Sequence, residues 1–356
     1  MNHQFQETIT LSEKIIALVQ KARQSVAKNV NFAMVFTYYY IGKLLINEWQ
    51  EGEIRAEYGV KLLENVSAEL TKNFGKGFSV QNLERMRSFY LIYSKSSTVL
   101  RISEVFEKSS TVLRTFDDES DVRFLPISWS HYLFLMRIKD EIERQFYEVE
   151  SFQNQWSVRE LERQFNTGLF ERLAMNKNKS EIMRLAKEGQ FVEQPKDLIK
   201  DPLILNFLGL ESNSNYTETE LEAAIINQIE KFMLELGKGF FFGGRQVRFS
   251  FNEEHYFVDL VFYNRFLKCF VLIDLKIGKL KHQDLGQMQM YVNYYDRFIK
   301  QEGEGKTIGI VVCKTKEDAI VEITLPEDNR QIFASQYETI LPSKKQIIEL
   351  LKNYQQ

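Results

Sequence analysis

The stretch "YFVDLVFYNRFLKCFVLIDLK", residues 256–276, reads as two strands joined by a short loop. Its runs 256–263 and 269–276 are apolar on both faces, the pattern of central strands covered from both sides. Three charges interrupt that pattern: Asp259 in the first run, Asp274 and Lys276 in the second. Side chains on a strand alternate with period two, so Asp274 and Lys276 share a face. A hairpin loop of two or four residues sets Asp259 on that same face, opposite or diagonal to Asp274. A loop of three would put the two carboxylates on opposite faces.

Burying an ion costs several kcal/mol even after relaxation. An Asp–Lys ion pair accounts for two of the three charges and leaves one carboxylate over. A hard divalent cation held by Asp259 and Asp274 removes that excess, and the main-chain carbonyl of Leu275 adds a ligand. Mg²⁺ takes oxygen ligands and keeps several waters. A bound metal lowers the pKa of its water and neutralises charge developing on a phosphate. Lys276 beside it is suited to hold that water and to stabilise the transition state. The pattern points to metal-assisted phosphodiester hydrolysis, with a buried structural ion pair as the alternative.

A chain of 356 residues exceeds one ordinary core and fits two domains. The first half is helical by periodicity, at 11–26 and 31–50 and again within 59–93. There a helix over about 59–73, a Gly-containing turn and a helix capped by Ser79 outline a helix-turn-helix. The second helix offers Gln81, Asn82, Arg85 and Arg87, residue types that reach bases and phosphates; an ordinary helical hairpin with a solvated face is the alternative. The heptapeptide "KSSTVLR" occurs at 95–101 and again at 108–114, which reads as a duplicated insertion in a surface loop. Helical patterning resumes and runs to about 174. Residues 175–201 are charged and less periodic, a candidate linker. The expected domains are 1–174 and 202–356, with 175–201 between them.

Beyond 201 the pattern changes. Thr217 with Glu220 forms a capping-box signature. It opens a helix with Leu221, Ile225, Ile226, Ile229, Phe232, Met233 and Leu236 on one side, ended by Gly237 and Gly239. Strand-like runs follow, with a helix over about 283–300 between them, so this half is α/β. Gly243 and Gly244 match no phosphate loop and suit a strand bulge. The formal net charge is −3, so no global basic field draws a polyanion, and local residues such as Arg245, Lys279 and Lys281 would have to meet one. Cys269 and Cys313 sit in apolar runs as buried thiols, as in a reducing compartment. His131, His255 and His282 stand alone and read as structural. No apolar run is long enough to cross a membrane, and no signal layout opens the chain. A cytoplasmic protein without membrane contact is expected.

Asp259 … Asp274-Leu275-Lys276, with Val258 where Pro is usual, resembles the motif of the PD-(D/E)XK nuclease superfamily. "ELGKGFFFGGRQVRF", "VDLVFYNRFLKCFVLIDLKIGKLKHQDLGQMQMYVNYYD" and "IFASQYETILPSK" are similar to its YhcG-like branch. In the first half, "RAEYG", "NFGKGFSVQNLERMRSFY", "SWSHY" and "WSVRELER" are similar to that branch's N-terminal domain. The resemblance implies a restriction-endonuclease-like α/β domain, a mixed central sheet flanked by helices, behind a mostly α, helix-turn-helix-like, nucleic-acid-contacting domain. It implies Mg²⁺ or Mn²⁺ as cofactor and DNA as substrate, with RNA open. It further implies a homodimer or higher oligomer and a setting in genome defence or DNA repair. Gln287 and Tyr291 match a Gln-x-x-x-Tyr motif of some such nucleases, one helical turn apart near the metal water or a phosphate. The superfamily often adds an acid from the preceding helix: Glu222 is the candidate, Glu220 and Glu230 its rivals. A DNA-binding adaptor that keeps the fold without cleaving is the second reading.

Overall fold

The computed structural model describes residues 33–48, 56–94, 124–175, 177–210, 215–341 and 344–353. The helix expected at 11–26 and the repeated heptapeptide lie outside the described residues. The chain divides into two compact units, Met1–Glu162 and Arg163–Gln356.

The first unit is helical: α1 (33–48), α2 (Ala56–Phe74), α3 (Val80–Tyr93), α4 (Trp129–Leu135) and α5 (Glu141–Gln153), with α6 (Val158–Asn166) carrying the division. Gly75 and Gly77 take positive φ, 81° and 127°, and turn the chain from α2 into α3. Ser79 caps α3 by accepting from the Asn82 N–H. Leu83, Met86 and Phe89, three residues apart, bury one stripe of α3. Leu83 and Met86 pack with Leu45 and Leu63. Around Phe89 the core is aromatic, with Phe124 and Trp129 at 5.1 Å and Tyr132 at 5.2 Å between ring centroids. His131 is structural, as expected: its ring bridges Ser128 Oγ at 2.7 Å and the Trp156 carbonyl at 2.9 Å.

The second unit runs α7 (Leu169–Ala174), α8 (Lys179–Glu188), β1 (Leu203–Ile204), α9 (Glu218–Asn227), α10 (Ile229–Leu236), β2 (Phe240–Phe251), β3 (Glu254–Asn264), β4 (Cys269–Lys279), α11 (His282–Tyr294), β5 (Ile308–Thr315), α12 (Asp318–Thr324), β6 (Ile332–Glu338) and α13 (Lys344–Asn353). Its sheet has the order β1-β6-β5-β4-β3-β2. β2, β3 and β4 pair antiparallel, while β4, β5, β6 and β1 pair parallel, so the sheet is mixed. Apolar residues cover both faces. Val271, Ile273 and Leu275 of β4 pack with Leu221 and Ile225 of α9 and Phe232 of α10; Leu272 packs with Leu285, Met288 and Tyr291 of α11. That two-sided burial is why the runs 256–263 and 269–276 lack polar alternation. Cys269 and Cys313 are buried free thiols. Among the described residues, no helix is long and apolar enough to cross a membrane.

Four local readings gain detail. The capping box of Thr217 and Glu220 forms, but the helix it opens breaks at Gln228 (φ −124°, ψ 32°) into α9 and α10, which lets both pack on the sheet. Gly237, at φ 111°, ends α10. The bulge falls between Phe242 and Gly244, as the glycine run suggested. Residues 175–201, expected as a linker, hold α8 behind its own Asn178/Glu181 capping box. Some of their charges are partnered within the unit: Lys177 pairs with Asp197 at 3.1 Å, and buried Lys200 donates to the Glu235 carbonyl at 2.6 Å.

Candidate active site

The loop between β3 and β4 is the four residues Arg265–Lys268, because Asn264 pairs with Cys269. Continuing that register sets Asp259 opposite Asp274, the same-face case among the loop lengths considered. Main-chain pairing ends at Leu260 with Ile273. Beyond it a side chain replaces a carbonyl: the Leu275 N–H donates to Asp259 Oδ2 at 2.8 Å. The two central strands therefore part where the carboxylates stand. By alternation with Leu272, Asp274 and Lys276 face the α11 side of β4.

Lys276 Nζ lies 2.9 Å from Asp274 Oδ2 and 3.6 Å from Glu218 Oε2, at the start of α9. The buried Asp274 Oδ2 is the atom that meets this ammonium. Only 2% of Asp274 is exposed. Burial, and then the charge of Asp259, push its carboxyl up to about 7, with Lys276 pulling the other way. Burial disfavours the Lys276 ammonium, but Asp274, Glu218 and Asp259 outweigh it and hold its pKa above the ordinary lysine range.

β2 supplies a residue that sequence reading missed. Gln246 lies across from Asp259, and its Nε2 donates to Asp259 Oδ1 at 2.9 Å and to Glu222 Oε2 at 2.6 Å. Gln246 sits at φ 46°, a left-handed conformation rare for its type, so local strain coincides with this junction. Buried Glu222 on α9 thus joins Asp259 through one amide. Its rivals stand elsewhere: Glu220 closes the capping box by accepting from Thr217 N–H at 2.7 Å, and Glu230 is exposed on α10. On α11, Gln287 Nε2 donates to the Tyr291 hydroxyl. Burial raises the Tyr291 phenol, which also senses the charges of Asp274, Asp259 and Lys276. Glu218 was missed as well. It is the first residue of α9, and nothing in the local pattern ties it to Lys276. Gln246 becomes legible only when the bulge that sets its register is known.

The donor set suits a hard cation. Asp259 and Asp274 face each other with one ammonium, Lys276, ion-paired to Asp274, which leaves an excess of negative charge. Among the described residues, no three His, Cys, Asp or Glu side chains form a metal-binding group. The Asp259–Asp274 pair could hold a cation only together with a main-chain carbonyl and waters.

The residues expected to touch nucleic acid fall in both units. On α3, Gln81 is exposed and Arg87 half-buried. Asn82 donates to the Gly77 carbonyl at 3.0 Å, and Arg85 donates to Asn82 Oδ1 at 2.9 Å, so these two side chains brace the turn before the helix. Arg245 is exposed on β2 beside Gln246. Lys279 pairs with Glu317.

Residues 196–352 match the family model of the YhcG PDDEXK nuclease domain, and residues 14–172 match that of the DUF1016 N-terminal domain. The class of the second unit is thereby a PDDEXK nuclease domain. The whole chain is 35% identical over 350 residues to "Putative nuclease YhcG" of Escherichia coli (strain K12), covering 96% of this chain and 92% of that protein. The chain belongs to the YhcG family of PDDEXK nucleases. A solved structure titled "crystal structure of a repair endonuclease from Pyrococcus abyssi" is similar over 36% of this chain and 50% of its own, at 18% identity and a TM-score of 0.25, a likeness that carries no argument.

Proposed function

We propose that the protein is a Mg²⁺-dependent nuclease that hydrolyses DNA phosphodiester bonds at the Asp259–Asp274–Lys276 site, with Mn²⁺ able to replace Mg²⁺. One observation carries this reading: two carboxylates face each other at a parting of two strands, and the one 2.9 Å from the Lys276 ammonium is pushed up to about 7. Asp259, Asp274 and the Leu275 carbonyl would hold the cation, which when bound supplies a water of lowered pKa and charge against the phosphate. Lys276 orients that water and stabilises charge on the phosphoryl oxygens. Gln246 fixes the rotamer of Asp259 and ties it to Glu222, an outer support of the kind that tunes ligand orientation. Gln287 and Tyr291 border the site from α11. In this reading α3 and Arg245 add nucleic-acid contacts, and the protein acts as a homodimer or higher oligomer in the cytoplasm, in genome defence or DNA repair. RNA is the alternative substrate.

The direct 2.9 Å contact of Lys276 with Asp274 favours one other reading, a non-cleaving DNA-binding adaptor in which the two form a structural pair. The test is cleavage of single-stranded, double-stranded and branched DNA and of RNA, with Mg²⁺, Mn²⁺ or chelator. Wild type is compared with Asp274→Ala and Lys276→Ala. Metal-dependent cutting lost in both variants is the expected result. Binding of DNA without cutting on any substrate turns the reading to the adaptor. Cutting that survives both substitutions moves the chemistry elsewhere.

A further inference from the structure

The β2–β3 hairpin passes the candidate active site and runs on to a turn at Asn252 and Glu253. Its register sets Arg248 opposite Phe257 and Ser250 opposite His255. Gln246 and Asp259, joined at 2.9 Å, stand one step inward in the same row of side chains. The second row, Val247 with Val258 and Phe249 with Tyr256, packs on the α11 side, where Phe249 stacks on Tyr294 at 4.1 Å. Further in, the rows stand the other way round: Val261, two residues from Asp259, packs on the α11 side, and Leu260 packs on the α9 side. The ribbon therefore rolls over at the level of Asp259 and Gln246, where Gln246 takes φ 46°. The row that carries Asp259 at the site continues outward on the face turned away from α11, into solvent.

Arg248, Ser250, His255 and Phe257 are all exposed on this face, and none of them is an acid. Arg248 Nη2 lies 3.1 and 2.9 Å from the two ring nitrogens of His255, and Ser250 Oγ lies 2.9 Å from Nδ1 of the same ring. The imidazole thus braces a guanidinium and a hydroxyl side by side. Among the described residues Arg248 has no carboxylate partner. Of the glutamates at the hairpin tip, Glu253 lies in the turn and Glu254 accepts from the Tyr256 hydroxyl, on the other row. A braced guanidinium beside a hydroxyl suits a phosphate, whose oxygens accept from both. Arg248 stands two residues along β2 from Gln246, about 6.8 Å at the rise of an antiparallel strand. A nucleic-acid strand rises about 3.4 Å per nucleotide, so the step spans about two of them. A peptide carboxylate would also satisfy the guanidinium, but a phosphodiester backbone binds the site and this face together.

We propose that the outward face of the β2–β3 hairpin is a phosphate-holding arm: Arg248 and Ser250 grip the DNA backbone about two nucleotides from the scissile bond. His255 positions the guanidinium, and Phe257 covers the sugar between grip and site. The arm rests on the nuclease reading above and deepens it, because it names what holds the substrate outside the carboxylate pair.

The experiment measures binding of labelled single-stranded and duplex DNA of equal length by fluorescence anisotropy in chelator, across a salt series. Cleavage in Mg²⁺ gives kcat and KM in parallel. Wild type is compared with Arg248→Ala, Arg248→Lys, His255→Ala, the Arg248→Ala/His255→Ala double variant and Asp274→Ala. Arg248→Ala weakens binding roughly tenfold on single strand and duplex alike, with a salt slope shallower by about one, and its cleavage loss falls on KM. Arg248→Lys keeps the slope and recovers part of the affinity, since the charge stays and the planar fork is lost. His255→Ala costs roughly threefold by itself and nothing further beside Arg248→Ala, as befits a residue that acts through another. Additive losses overturn that positioning role. Asp274→Ala loses cutting and keeps the wild-type salt slope. Wild-type affinity and slope in Arg248→Ala overturn the arm and leave the nuclease reading standing. A loss confined to kcat also overturns it, by moving Arg248 to the reacting phosphate. Binding without cutting overturns the nuclease reading, and a shallower slope in Arg248→Ala then still supports the grip. If wild type neither binds nor cuts any nucleic acid, both readings fall together.

Discussion

Glu148 in the helical unit and Asp274 in the α/β unit are buried carboxyl groups, each pushed up to about 7 chiefly by burial. Their surroundings differ. Glu148 accepts from two phenols, Tyr132 at 3.1 Å and Tyr93 at 3.3 Å, and Arg144 draws its pKa back. Asp274 faces a second carboxylate, Asp259, which raises it further, and Lys276 at 2.9 Å draws it back. A third acid shows the opposite limit. Burial pushes Glu235 up, yet Arg172, Lys200 and Arg163 outweigh it and hold it below the carboxylate range. Burial by itself therefore does not mark a site. What separates Asp274 is a facing carboxylate whose like charge its one ammonium offsets only in part, the condition that favours a cation and that perturbs functional groups.

The largest effect expected from that contrast is on cleavage. Asp274→Ala and Lys276→Ala lower the cutting rate by roughly a thousandfold or more, while Glu148→Ala leaves cutting per folded molecule unchanged. Gel assays at matched folded concentration decide it, and equal losses would erase the distinction. Gln246→Ala comes next. Removing the amide that orients Asp259 lowers cutting by roughly 10- to 100-fold, read as activity against Mg²⁺ concentration.

Metal affinity should follow the Asp274 carboxyl. Its protonated form does not ligate, so Mn²⁺ affinity falls by about tenfold per pH unit below about 7 and levels off above it. Titration calorimetry between pH 5.5 and 8, a range set on the order of the shifted value, reads this directly. A flat profile would mean that Asp274 is no ligand.

Stability gives the smallest effects. Glu148→Ala strands two buried phenols and costs about 1–3 kcal/mol, whereas Asp274→Asn removes like-charge repulsion and leaves the metal-free protein as stable or more so. Denaturant unfolding of both variants tests the pair. Glu148 also makes stability pH-dependent. Its folded pKa of about 7 lies above its ordinary value of 4.5. The folded state thus holds a proton that the unfolded chain has released. That stabilisation is complete below the ordinary value and is lost as pH rises through about 7. Glu148→Gln flattens this slope, and an unchanged slope would assign it to other groups.

Local rules carried much of the fold from the sequence alone. Period-two alternation placed Asp274 with Lys276, and the short span between the apolar runs allowed the four-residue loop that brings Asp259 opposite. Capping chemistry placed Thr217 and Glu220, and glycine placed the exit of α10 and the bulge of β2. Each of these depends on neighbours within a few residues, so a linear reading reaches it. Other features waited for the tertiary structure. The break at Gln228 answers to packing on the sheet, and residues 175–201 read as a linker until Asp197 and Glu235 meet Lys177 and Lys200. Gln246 finds Asp259 and Glu222 only because a bulge shifts β2 and α9 covers its end. A charge in a sequence shows its type and its period, but most of its partners are chosen by contacts made between residues distant along the chain, and at Asp274 that choice adds Asp259 to the neighbouring Lys276.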